Sequence, residues 1–234
     1  VDVIDATDNV LALTVAQYQA LGAVTLTVGD LVTLADTGAN IAALTPSQIT
    51  ALAGLGIDVI DATDNVLSLT VAQYQALGIV TLTSGDLVTL ADSGANLAAL
   101  TPSQITALAG LGIDKIDATD NALSLTVAQY QALGAVTLTM SDVVTLADTG
   151  ANIAGLTNVQ IAGLGSSGVD FIDASDNVLS LTAAQAVALG TVVIVAGDVV
   201  TVSDTGANIA ALTNLQIGGL GASGVDFINA SDNV

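Results

Sequence analysis

The chain has 234 residues, 52% of them apolar, with no cysteine, no histidine and one cation, Lys115, against 22 acidic side chains, for a formal charge of −21. That inventory excludes zinc-type metal sites and thiol or imidazole catalysis, and it repels nucleic acid and anionic lipid. The mean hydropathy is +0.78, but the two charge-free windows of 21 residues, Ser93–Ile113 and Asn177–Gly197, alternate between helix and strand patterns, so no membrane insertion is expected.

The segment VDVIDATDN that opens at Val1 returns at Ile57, Ile113, Val169 and Val225, each 56 residues on, and the first two units differ at six positions. The repeat units are 1–56, 57–112, 113–168 and 169–224, with the start of a fifth at 225–234. A tandem period of this length marks an array in which no unit buries its apolar face alone and neighbours complete the core. One continuous body over 1–234 is expected, cut at matching phase from a longer array.

Each unit opens on a strand pattern, as in IDVIDATD (57–64), followed by an asparagine and a Thr-x-x-Gln box. A threonine cap with glutamine three residues on satisfies two orphan backbone donors and opens a helix. The boxes fall at Thr14/Gln17, Thr45/Gln48, Thr70/Gln73, Thr101/Gln104, Thr126/Gln129, Thr157/Gln160, Thr182/Gln185 and Thr213/Gln216, spaced alternately 31 and 25 residues apart. Pro46 and Pro102 suit the first helical position, and Gly22, Gly54, Gly78 and Gly110 are expected to close the helices. Strand patterns resume in IVTLTSGD and LVTLADSGA (79–95), where Val, Ile and Thr alternate. Position 59 is Val3, Lys115, Phe171 or Phe227 in the other units and is expected to face outward, with Ile60 and Ala62 in the core.

Asparagines lie five residues before every cap, at Asn9, Asn40, Asn65, Asn96, Asn121, Asn152, Asn177 and Asn208, with Asn233 beginning another. Such a series is expected to stack as a ladder that satisfies the backbone at a tight corner. Tyr18, Tyr74 and Tyr130 share one helix position and are expected to pack against neighbouring structure, the competing reading being a carbohydrate-stacking row.

Aligning coils on their asparagines places Asp61 opposite Asp92 and Asp117 opposite Asp148, within a series from Asp5 to Asp204. Like charges at the ~4.8 Å sheet spacing repel. A calcium ion held by Asp61, Asp92, Asp117 and Asp148 is one resolution; the other is that each aspartate bonds nearby turn amides. Any carboxylate pair would recur in every unit and no unit holds a distinctive acid, base or nucleophile, so no catalysis is expected.

The phrases LADTGANIAALTPSQITALAGLGIDVIDATDN and VLSLTVAQYQALG resemble the tandem repeats of giant secreted bacterial surface proteins, of the adhesin-like or hemolysin-type calcium-binding kind. The resemblance implies an extracellular, cell-surface location and calcium as a ligand; the nonapeptide calcium loops of those proteins do not occur here. The expected fold is α/β: a right-handed α/β solenoid of alternating 25- and 31-residue coils, each with a short helix and strand, the alternative being one 56-residue turn. The expected function is a structural segment, a stalk, spacer or filament subunit, whose partners are further copies or adjacent repeats end to end. The alternative is an adhesive module engaging a polysaccharide or protein receptor through the solenoid face.

Overall fold

A computed structural model describes residues 2–232. The fold is mixed α/β, with short parallel strands in several sheets alternating with short helices. The described chain forms two compact units, residues 2–97, 103–119 and 133–137 in one and residues 98–102, 120–132 and 138–232 in the other.

In the first unit, repeat one contributes strands Val3–Ile4, Val10–Leu13, Thr25–Leu26 and Leu31–Asp36 and helices Val15–Ala20, Gly38–Ala42 and Pro46–Gly54. One sheet runs in the order Val10–Leu13, Leu31–Asp36, Val59–Ala62, Thr81–Leu82, all parallel. Val66–Leu69, Leu87–Asp92 and Lys115–Ala118 pair in parallel in the same way. Parallel neighbours need a crossover, and the helices supply it. Val32, Leu34, Ile60, Ala62, Leu67 and Leu69 turn one face of these strands inward, onto Ile41, Leu44, Ile49 and Leu52 of the helices, all fully buried. Ile60 and Ala62 are thus core and position 59 faces outward, as the substitutions among repeats imply.

The second unit repeats the scheme. Ala122–Leu125, Val143–Asp148, Phe171–Ala174 and Val193–Ile194 form one parallel sheet. Val178–Leu181, Val199–Asp204 and Phe227–Ala230 form another. Its core continues with Val144, Leu146, Ile153, Ile161, Ile172 and Val200.

The helices open where the Thr-x-x-Gln boxes place them. At Thr14, Thr45, Thr70, Thr157, Thr182 and Thr213 the threonine oxygen accepts from the glutamine amide while the glutamine side chain accepts from the cap N–H. Thr126 and Gln129 make the same pair of bonds. Gly22 and Gly78 close their helices at φ near +60°. Gly54 instead ends its helix in right-handed conformation, and the left-handed residue is Gly56, where the amide of Ile57 returns to the Leu52 carbonyl at 3.0 Å.

Three expectations change. The strand at Leu87 stops at Asp92 and a short helix, Gly94–Ala98, follows; Gly38–Ala42, Gly150–Ala154 and Gly206–Ala210 are its counterparts. Val66–Leu69, after the asparagine, is a strand. Finally, the pairing does not follow coils of 25 and 31 residues: Ala12 lies beside Thr33, Thr33 beside Val59 and Val59 beside Thr81, offsets of 21, 26 and 22. Register in a parallel sheet follows the buried face, and alignment on the asparagines misses it by one residue, which turns every side chain to the opposite face.

Candidate functional site

The corrected register reassigns the aspartates. Asp61 lies beside Ala35 and Asp92 beside Ala118, so these two carboxylates do not face each other. Asp92 instead closes a strand and serves two helix starts. Its Oδ1 accepts from the Ser93 amide at 2.8 Å and the Asn96 side chain at 2.7 Å, and its Oδ2 accepts from the Val71 amide at 3.1 Å. Asp148 does the same with Thr149, Asn152 and Val127, and so do Asp36 with Thr37, Asn40 and Val15 and Asp204 with Thr205, Asn208 and Ala183. Val71 and Val127 are first residues of helices, where a carboxylate satisfies an orphan N–H and meets the positive end of the helix dipole. Burial pushes the Asp92 and Asp148 carboxyls up, but the three hydrogen bonds outweigh it and hold both below the ordinary range.

Further aspartate series do similar work. Asp58, Asp114, Asp170 and Asp226 each accept from a strand amide, of Val32, Val88, Val144 and Val200, at 2.8–2.9 Å. Asp64 and Asp176 each accept from a glycine amide at 2.9 Å, those of Gly38 and Gly150, which open the short helices. Each of these bonds joins residues 26 apart in sequence. The acidity of the chain is thus largely a set of stitches between a carboxylate and the backbone of a neighbouring element. One composition signal marks this role: all 22 acids are aspartate and none is glutamate. The shorter side chain loses less rotamer freedom and bonds nearby amides more readily.

A fourth series is buried. Asp86 accepts from the Ala62 amide at 2.8 Å through Oδ2, while its Oδ1 is enclosed without a hydrogen-bond partner. Burial is the main cause that raises its carboxyl above the ordinary value; the Ala62 N–H opposes the shift and the charges of Asp61 and Asp64 add to it. Asp198 repeats this with Ala174, Asp173 and Asp176. Among the described residues, no three carboxylates gather in a group that could hold a metal ion.

The asparagines do not form one ladder. Asn9, Asn65, Asn121 and Asn177 take left-handed turns, φ 56–59°, between consecutive strands. Asn40, Asn96, Asn152 and Asn208 sit inside short helices and donate to the aspartate four residues before, at 2.7 Å. All eight are exposed. An equal offset to the next cap conceals two backbone conformations, because asparagine suits both a left-handed turn and a short polar helix start. Asn233 lies outside the described residues. Tyr18 and Tyr74 are buried, and the Tyr18 hydroxyl donates to the Gln48 carbonyl at 3.3 Å, so these rings pack inside the fold.

The glutamines carry a role that local reading misses. Gln73 caps its own helix through Oε1 and donates through Nε2 to the carbonyls of Ala42 and Leu44, at 2.8 and 2.7 Å. In the second unit, Gln129 clamps Ala98 and Leu100, and Gln185 clamps Ala154 and Leu156, at 2.7–2.8 Å. All three side chains are buried. An amide is required because a carboxylate could cap but not donate. Every box carries glutamine, so residue type alone does not show which ones clamp.

Surface grooves recur with the repeat. One of about 410 Å³ is lined by Ala183, Asp204 and Asn208 and another of about 340 Å³ by Val127, Asp148 and Asn152, the same three repeat positions. No helix among the described residues is long and apolar enough to cross a membrane. The fold and its stitched junctions define a tandem-repeat α/β protein. No protein-family model, curated protein or solved structure matches the chain.

Proposed function

We propose that the chain is a non-catalytic structural segment, a stalk, spacer or filament subunit, of a secreted bacterial cell-surface protein, built as a right-handed α/β solenoid. The 56-residue period sets the solenoid turn, and the handedness follows the strong preference of parallel crossovers. The observation that carries the reading is the recurrence of one junction: the buried glutamine clamp at Gln73, Gln129 and Gln185 has the same two carbonyl partners each time. A chain whose junctions are alike and whose grooves recur is suited to length and to repetition of surface, not to one specific pocket. The extracellular location rests on the resemblance of the repeats alone.

The adhesive alternative draws no support from aromatic side chains, since Tyr18 and Tyr74 are buried. Calcium is not needed to relieve facing carboxylates, because Asp61 lies beside Ala35 and Asp92 binds three donors. Small-angle X-ray scattering of versions with three, four and five repeats tests the proposal. A maximum dimension that grows by a constant increment per repeat supports it; growth as the cube root of mass overturns it.

A further inference from the structure

Chemically identical residues in the third and fourth repeats, all in the second compact unit, differ in exposure. Ile161 and Ile172 are 0% exposed, while their counterparts Ile217 and Ile228 are 45% and 47% exposed. Ile153 and Leu156 are buried, and their counterparts Ile209 and Leu212 are partly open. The third-repeat residues are covered by the repeat that follows: helix Gly150–Ala154 packs on strand Val178–Leu181, and helix Asn158–Leu164 packs on helix Ala183–Ala188. Gln185 then clamps the carbonyls of Ala154 and Leu156. The corresponding acceptors on the fourth repeat are the carbonyls of Ala210 and Leu212.

The complementary surface exists in the first repeat. Val10–Leu13 and Val15–Ala20 are the counterparts of the covering strand and helix. Leu11 and Leu21 are partly exposed where Leu67 and Leu77, one repeat on, are buried, and Gln17 is exposed where Gln73 is buried. Extending the reading of the chain as a structural segment, we infer that the exposed apolar face of the fourth repeat, Ile209, Leu212, Ile217 and Ile228, docks the first repeat of a second copy of this chain, with Gln17 of that copy donating to the carbonyls of Ala210 and Leu212. The contact continues the interface that already joins the third and fourth repeats.

One segment must give way. Phe227–Ala230 already occupies the place that the incoming Val3–Ile4 would take, since both begin a repeat at the same phase. Val3–Ile4 is a two-residue strand paired to Thr25–Leu26, with Val3 exposed. In the docked pair, Phe227 and Ile228 replace Val3 and Ile4 beside Thr25 and Leu26. The amides of Thr25 and Thr27, which bond the Asp2 and Ile4 carbonyls at 3.1 and 2.9 Å, then bond those of Asp226 and Ile228. Ladder hydrogen bonds are conserved in number and apolar surface is gained. Because both partners are acidic, added salt strengthens the contact.

Sedimentation velocity of the full chain over a range of concentrations, at low and at moderate salt, tests this. The expected result is reversible head-to-tail association, stronger at moderate salt. Ile217→Asp and Ile228→Asp should each weaken it at least ~10-fold, as charge in the centre of a desolvated contact does, with an unchanged circular dichroism spectrum because both positions are open in the single chain. Leu215→Asp is the control: Leu215 is 88% exposed and its third-repeat counterpart Val159 is 82% exposed, so this position lies outside the contact. A chain that stays monomeric at every concentration, or association that Leu215→Asp weakens as much as Ile228→Asp does, overturns the docking. Either result leaves the solenoid reading to be judged separately by the growth of length with repeat number.

Discussion

Gln73 donates to the Leu44 carbonyl at 2.7 Å while its own Oε1 accepts from the Thr70 amide at 2.8 Å. One side chain therefore closes the start of its own helix and the loose end of the helix preceding Leu44. Both carbonyls it reaches, those of Ala42 and Leu44, lie at a helix terminus, where backbone acceptors lack intrahelical partners.

Replacing Gln73 by glutamate keeps the capping acceptor but removes two donors and sets a charge against two carbonyls. We expect Gln73→Glu to destabilise the fold by about 2–4 kcal/mol. Gln48→Glu, at a partly exposed box, should change stability by no more than ~0.5 kcal/mol. Urea unfolding of the two variants makes the comparison, and equal effects would refute the clamp.

Glycine matters at Gly38 for space. A Cβ there would collide with the Val66 carbonyl, and one at Gly150 with the Val178 carbonyl. Gly38→Ala should cost about 1–3 kcal/mol through forced displacement of the strand. Gly54 is helical with nothing near its absent Cβ, so Gly54→Ala should stabilise by about 0.5–1 kcal/mol. Thermal melts that ranked the two variants the other way would contradict the packing of this short helix on the strand.

Acid should act in two opposed steps. Asp86 and Asp198 are held above the ordinary aspartate value of 3.8, chiefly by burial. Their destabilising charge is present at neutral pH and is relieved as pH falls through their raised values toward 3.8. Asp92 and Asp148 are held below 3.8, where the hydrogen bonds of Asn96, Ser93 and Val71 and of Asn152, Thr149 and Val127 overcome burial. Their contribution is complete above the unfolded value and is lost as pH falls through the lowered one. The Asn40 and Asn208 side chains, with the amides beside them, lower Asp36 and Asp204 in the same direction. The urea midpoint should rise from neutral to mildly acid pH and then fall. Asp86→Asn should raise the neutral midpoint and reduce the rise; a steady decline from neutral pH would contradict the buried series.

Calcium offers a further check. With Asp61 beside Ala35 and the oxygens of Asp92 on backbone and side-chain donors, we expect the melting midpoint to be the same in calcium and in a chelator at matched ionic strength. A calcium-specific rise, abolished by Asp61→Asn and Asp117→Asn, would restore a bridging cation to the account.

The sequence by itself determined the 56-residue period, the α/β class and the helix starts. Thr14 and Gln17, or Thr45 and Gln48, interact across one turn, so their geometry follows from the local chain. The buried face at Ile60 and Ala62 was equally legible, because substitution at position 59 among otherwise near-identical repeats marks the outer side. Tertiary structure decided the register, and with it the partner of every aspartate. Asp92 meets Val71 and Ala118 only because the sheet pairs at offsets of 21 and 26, and that pairing is set by burial of strands against helices, not by any neighbouring residue. The division of the asparagines into turn and helix, and of the glutamines into caps and clamps, follows from the same cause. Identical residues at equal local spacing acquire different partners when the chain around them packs differently.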